Sequence, residues 1–517
     1  MSNISTSDLY QLIKSLSKTE KRYFTLNTLK KKEKKKNAFQ ILFNAIENQK
    51  EFNENALLSA RNKIPHLPVM KKRLFEMILK SMEMYHLENS LENKLRSTIN
   101  KIEFLFHKGL NEPCAKLIKK AKKVAKENEL WEQLIEILNL ESLLLAAYNR
   151  SAQADRSRLK SNKEAHEALR QLKNRLDYLK LSIEITELSK GRQVIRKKNE
   201  LKHVDSILAN PLLKSEEMAL SLKTKSTFYF LLSRGALMKF RNKKAIEYGG
   251  RYVNFSTPKK NPTLGSILTY FNSLAGYLHL CLEDKNYRAA EIAVMKLKSI
   301  PIQFNIKGSD FLQSSIYSMS TGSLFSIYLD TGQFNKALTL IGEVEENKGI
   351  IEKNLSVSNK IVLNFYFFYT YFGLGNYRSA LVWLNNTIDS IAKTGLREDL
   401  YSICKILILL VHYELGNHDL ISYIGKSAFR KLGKLKELHQ FESIMLDFFN
   451  KKLPEVSNDK ERIELFKALK VDLEKLNKHP ESSVMRNFDL ISWIDSKIER
   501  RSFAQIVKEK AGHIREQ

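Results

Sequence analysis

The sequence predicts an all-α fold: a right-handed α-solenoid of helical hairpins, with a short helical domain before it and a C-terminal helical cap after it. Three observations carry that prediction. Helix breakers are sparse, with 9 Pro and 19 Gly among 517 residues, which favours long helices and excludes collagenous or low-complexity chains. Hydrophobic residues make up 43% of the chain, enough for a packed core, so a wholly disordered protein is excluded. A turn motif recurs at near-constant spacing, and the segments before each turn are apolar while those after it are amphipathic.

The motif is clearest in Gly332-Gln-Phe334-Asn-Lys-Ala337 and Gly375-Asn-Tyr377-Arg-Ser-Ala380, both of which read G-x-aromatic-x-x-A. Degenerate copies are Lys285-Asn-Tyr287-Arg-Ala-Ala290 and Gly416-Asn-His418-Asp-Leu-Ile421. Weaker ones are Phe240-Arg-Asn242-Lys-Lys-Ala245 and Gly109-Leu-Asn111-Glu-Pro-Cys114. The final positions 245, 290, 337, 380 and 421 are 45, 47, 43 and 41 residues apart. A glycine that tolerates positive φ lets the helix end and the chain reverse. The aromatic residue packs the turn, and the small residue lets the next helix approach closely. This pattern resembles the tetratricopeptide repeat over residues 225–430, although these units are roughly ten residues longer than the 34 of that repeat. The resemblance implies a superhelical array whose surface binds a partner peptide or helix.

Each segment supports the reading in turn. In residues 1–90, Ser5-Thr-Ser-Asp8 and Ser17-Lys-Thr-Glu20 match capping boxes, and helices are expected near 37–49, 54–62 and 69–86. This reads as a small basic helical domain, and residues 9–24 are similar to the start of uncharacterised Bacteroidota proteins. Residues 91–225 are expected to form charged hairpins of degenerate repeats. Within them, positions 169, 172, 176, 179 and 183 form a leucine-type stripe, read as one face of a repeat helix in preference to a coiled coil. Residues 226–435 hold the main repeats, with apolar helices at Leu264–Leu282, Phe311–Leu329, Ile361–Leu374 and Ile403–Tyr413, free of charged residues except for Lys405 in the last. Such helices suit burial between neighbouring hairpins, and the run Phe365–Phe372 is read as packing rather than as a ligand pocket. Residues 436–517 supply two amphipathic helices, Lys460–Leu476 and Arg486–Arg500, to cap the array.

Charge is unevenly distributed. The net charge is +29, with 57 basic and 31 acidic residues in 1–300 against 29 and 26 in 301–517. Candidate polyanion contacts are Lys30, Lys31, Lys32, Lys34, Lys35 and Lys36, then Lys119, Lys120, Lys122 and Lys123, then Arg196, Lys197 and Lys198. A basic field of this size attracts RNA or DNA.

No catalytic constellation emerges. Gly425-Lys-Ser427 lacks the first glycine of a phosphate loop, and Gly373-Leu-Gly375 lacks both the third glycine of a dinucleotide motif and a preceding strand. Neither H-E-x-x-H nor C-x-x-C occurs, and Cys404 with His412 makes no specified nucleophile–base pair. Cys114, Cys281 and Cys404 are too few and too scattered for a disulfide framework. The expectation is therefore a non-enzymatic, cofactor-free scaffold that binds a partner protein or peptide, with additional RNA or DNA contact. The alternative is a transcriptional or signalling regulator with DNA-binding helices in residues 1–90. Residues 1–8 do not look like a signal peptide, no stretch reads as a membrane span, and a cytoplasmic location is expected.

Overall fold

The computed structural model describes residues 6–29, 38–49, 53, 67–87, 91–148, 151–188, 198–258, 262–306, 310–347, 355–432, 440–476 and 487–515. Among them are 23 α-helices and no strand. No helix of the described residues is long and apolar enough to cross a membrane. The chain divides into two compact units, residues 1–277 with 300–310, and residues 278–299 with 311–517.

The first unit opens with α1 (Thr6–Ser15), α2 (Lys18–Phe24), α3 (Ala38–Glu47) and α4 (Leu67–Leu87). Ser17 and Glu20 close a reciprocal capping box at the start of α2. The Glu20 N–H donates to Ser17 Oγ (3.3 Å) and the Ser17 N–H to Glu20 Oε2 (2.8 Å). Ser5, which opens the other expected box, and the expected helix at 54–62 lie outside the described residues. Leu9, Ile13, Phe24, Leu42, Phe43, Ile46, Leu74 and Ile78 form one small core. A second core joins α5 (Leu91–His107), α6 (Asn111–Glu127), α7 (Trp131–Tyr148) and the first half of α8 (Ala152–Leu188). A third joins the second half of α8 to α9 (Lys198–Leu208), α10 (Leu222–Met238) and α11 (Asn242–Ser256).

With 37 residues, α8 is about 55 Å long, which is why one helix serves two cores. It does so by rotating its buried side: Ala154, Ser161 and Ala168 face inward first, then Tyr178, Leu181 and Ile185. The stripe Leu169, Leu172, Leu176, Leu179 and Ile183 is not that inward face. It lies on the opposite side of the second half of the helix, where Leu169, Leu176, Leu179 and Ile183 are exposed, so the stripe is one face of the helix but not the face that meets the core.

In the second unit, the hairpins are α14 (Asp310–Asp330) with α15 (Phe334–Glu346), α16 (Val357–Gly373) with α17 (Tyr377–Thr394), and α18 (Glu398–Glu414) with α19 (His418–Leu432). Before them come the end of α12 (Leu264–Glu283) and most of α13 (Tyr287–Gln303), and after them α20 (Gln440–Asp447) and α21 (Asp459–Leu476). One continuous core runs from Phe325 to Val507.

A single turn geometry punctuates both units. At nine helix ends among the described residues, a residue with positive φ is followed by a backbone N–H that donates to the carbonyl five residues earlier. The positive-φ residues are Gly109, Glu129, Phe240, Lys285, Asn305, Gly332, Gly375, Gly416 and Arg500. Gln333 N–H to Tyr328 O (2.7 Å), Asn376 N–H to Tyr371 O (2.9 Å) and Asn417 N–H to His412 O (3.0 Å) are examples. This is the Schellman arrangement, which satisfies carbonyls that the helix end would otherwise leave without donors.

Candidate functional site

The turn residues sit at the roots of the hairpins. Gly332, Gly375 and Gly416 hold φ of 67°, 74° and 72°. Ala290, Ala337 and Ala380 are fully buried, as are Cys114 and Ala245 at the corresponding positions, and Tyr287 and Phe334 are nearly so. Tyr377 is half-buried, with its ring 5.2 Å from that of Phe372. Gly373 is required by close approach: a Cβ there would stand 2.2 Å from the Phe334 ring.

The aromatic run of α16 is enclosed on two sides. Phe365, Phe367, Phe368, Tyr369 and Phe372 are all buried. Phe368, Tyr369 and Phe372 are covered by Phe488, whose ring centroid lies 6.0, 4.6 and 5.1 Å from theirs. Phe503 covers Phe334, Tyr369 and Phe372 and stacks on Phe488 at 5.6 Å with near-parallel planes. These covering residues belong to the C-terminal helices α22 (Leu490–Ile498) and α23 (Phe503–Arg515) and to the turn before them. The sequence offered α22 but not α23. The two helices reach back over the ends of α14, α16 and α18 rather than stacking only on the last hairpin. Trp493, fully buried, donates from Nε1 to Glu414 Oε1 (2.6 Å) and packs against Tyr413, Phe449 and Phe466. Lys497 pairs with the same Glu414. Asp489 caps α22 through the Ser492 N–H (3.1 Å), and its own N–H donates to Tyr369 Oη (3.1 Å).

On the far side of the same run, a cavity of about 570 Å³ opens beside α15, α16 and α17. Val344, Ile361, Leu363, Phe367 and Trp383 form its apolar wall, and Lys360 and Lys393 are among its polar lining. Glu345 also lines it, so its polar rim carries both signs of charge.

The lysine candidates separate. Lys30, Lys31, Lys32, Lys34, Lys35, Lys36, Arg196 and Lys197 lie outside the described residues, and Lys198 is the first residue of α9. Lys119, Lys120 and Lys123 are exposed on α6 with Lys116. Lys123 pairs within the helix with Glu127 at 3.9 Å. Lys122 behaves differently. It follows Ile118 by four residues and precedes Ala125 by three, so helical periodicity places it on the inward side. Its Nζ reaches Glu141 (2.7 Å) on α7 and Glu164 (3.3 Å) on α8, and Lys126 joins Glu164 at 2.8 Å. Burial pushes the Glu164 carboxyl up, but the Lys126 hydrogen bond and the two ammonium charges outweigh it and hold its pKa below the ordinary range.

Sequence reading missed a second cavity, of about 490 Å³, in the first unit. Glu129, Arg175, Leu179, Lys223, Ser226 and Phe255 contribute to its lining. Glu129 accepts the N–H groups of Leu222 (2.7 Å) and Lys223 (3.0 Å), so its carboxylate caps α10. Lys223 Nζ donates to Asn128 O (3.1 Å), and burial depresses its pKa. The one signal that could have marked this turn is Trp131, which follows Glu129 by two residues as the aromatic of the motif follows its glycine. With glutamate in the glycine position and Leu134 in the alanine position, the match does not stand out.

Cys114, Cys281 and Cys404 are buried and form no disulfide. His412, half-buried, stands 3.2 Å from Asn417 Nδ2 in the turn that follows α18. No protein-family model matches the chain, and no curated protein matches it.

Proposed function

We propose that this chain is a non-enzymatic scaffold, a right-handed tetratricopeptide-like solenoid whose hairpins hold a peptide or helix of a partner protein. The basic N-terminal three-fifths adds contact with RNA or DNA. The observation that carries this reading is the recurrence of one Schellman turn between successive helices, followed at Ala245, Ala290, Ala337 and Ala380 by a buried small residue, as expected where like units pack on their neighbours. The cavity beside Trp383 suits an apolar anchor of the partner, with Lys360 and Lys393 suited to acidic residues next to it.

A display selection of peptides on the full chain tests the first part. Peptides with one large apolar residue near acidic ones are expected to enrich, and to disappear from the selection on Ser390→Trp, which fills the cavity. Enrichment that ignores this change would remove the hairpins from the binding role. For the second part, anisotropy of mixed-sequence RNA and duplex DNA is followed across a salt series. A log–log slope of several units is expected. It should fall by about one for each phosphate-binding charge removed by Lys119→Gln, Lys120→Gln or Lys123→Gln. Lys122→Gln is expected to act on stability instead. Wild-type binding of about 10 μM or weaker at physiological salt, within the non-specific range, would return these lysines to solvated surface.

A further inference from the structure

We infer that the outward stripe of α8 is a docking strip for an amphipathic helix of a partner protein, one that carries acidic residues beside its own leucine-type stripe. Leu169, Leu176, Leu179 and Ile183 are 54%, 51%, 49% and 55% exposed, with Leu172 half-buried between them. Their spacings of 3, 4, 3 and 4 place them on one line along the helix, the a/d pattern of a helix–helix seam. The core does not explain this line, because α8 already buries Tyr178, Leu181 and Ile185 on its other side. From Leu169 to Ile183 the strip is about 21 Å long, enough for two heptads of a partner. Leu179 also lines the 490 Å³ cavity, so one edge of the strip opens into a concavity.

The flanking charges choose the occupant. Lys173 and Lys180 follow Leu172 and Leu179 on one edge, both exposed; Asp177 and Glu184 lie one turn on, farther from the strip, and no ion pair joins them to these lysines among the described residues. Arg175 stands on the other edge, paired with Glu132, and Glu187 lies beyond the C-terminal end of the strip. A second copy of this chain is disfavoured in either orientation. Antiparallel pairing sets Lys173 against Lys180 of the second copy, and parallel pairing sets Arg175 against that Lys180. A helix with Glu or Asp at those flanking positions meets no such repulsion and gains charge complementarity.

The inference rests on the scaffold reading only in assigning the surface to a partner protein. Two labelled peptides of about three heptads serve as probes, each with Leu at a and d, one with Glu and the other with Lys at e and g. Anisotropy against the full chain is expected to show binding of the acidic peptide and not of the basic one. Leu176→Asp is expected to weaken binding tenfold or more, and Lys173→Glu with Lys180→Glu to reverse the preference. That charge pair changes only exposed side chains, so it carries the test even where Leu176→Asp disturbs the helix. Absence of binding, equal binding of both peptides, or a wild-type dimer that Leu176→Asp converts to monomer would each overturn the proposal. Loss of hairpin binding on Ser390→Trp with the α8 result unchanged separates this proposal from the scaffold reading.

Discussion

Phe240 and Lys285 both hold φ of 57° at helix ends where Gly332, Gly375 and Gly416 hold 67°, 74° and 72°. An L side chain in this region costs roughly 1–2 kcal/mol through crowding of Cβ against the following carbonyl. Phe240 recovers little of that by packing, since it is 64% exposed. Phe240→Gly is therefore expected to stabilise the first unit by about 0.5–1 kcal/mol in urea unfolding, after allowing for the greater freedom of glycine in the unfolded chain. Gly332→Ala is expected to do the opposite, by about 2 kcal/mol or more. Besides its positive φ, a Cβ at Gly332 would stand 2.8 Å from the Lys508 backbone nitrogen, which side-chain rotation does not relieve. A neutral Gly332→Ala would show that α23 yields at this point. The same chemistry explains what the sequence made legible. Turns at Gly332, Gly375 and Gly416 announce themselves through glycine, whereas those at Glu129 and Arg500 use residues that do not by themselves mark a helix end.

At the scale of elements, α6, α7 and α8 are tied together by Lys122, Lys126, Glu141 and Glu164. Lys119 to Lys123 reads in sequence as one basic run. Its division into exposed and inward members follows from the register of Ile118, Ala121 and Ala125, which is set by packing on α7. The α8 stripe shows the reverse limit. Its periodicity is legible, but which face meets the core is decided by Tyr178 and the helices that cover it. Lys122→Met is expected to cost about 1–2 kcal/mol at neutral pH, because it strips charge-assisted hydrogen bonds from two carboxylates. The sign of the pH dependence follows from Glu164. Its folded pKa is held low, so its contribution is full above the unfolded carboxylate range and is lost as pH falls through the folded value. Wild-type and Lys122→Met should therefore differ most above the unfolded carboxylate range, about pH 4.3, and converge as pH falls through the lower folded value of Glu164. Parallel curves over that range in urea unfolding would mean that the lysine acts through its packed stem alone.

Over the whole chain, separate cores in the two units predict separate responses to damage. The second unit depends on its C-terminal clasp: Phe488 and Phe503 cover the aromatic run of α16, and Trp493 seals α18 against α21. Removing a fully buried indole costs about 3–5 kcal/mol through forfeited packing and the cavity left behind. Trp493→Ala also deprives Glu414 of its indole donor and leaves it with Lys497 and the Tyr377 hydroxyl. Hydrogen exchange read by mass spectrometry is expected to show faster exchange in α16, α18, α21 and α22, with Trp493→Ala leaving α5 to α8 at wild-type rates. Trp493→Phe, which keeps a ring but loses the donor, should fall between the two. Equal acceleration from α5 to α23 would mean that the chain opens as one cooperative body and that the division into two units has no energetic counterpart. Acceleration confined to α22 and α23 would mean that the clasp lies on the hairpins without holding them. The expected pattern requires that the last residues of the chain stabilise helices more than 100 positions before them, as the Asp489 N–H bond to Tyr369 Oη does across a separation of 120.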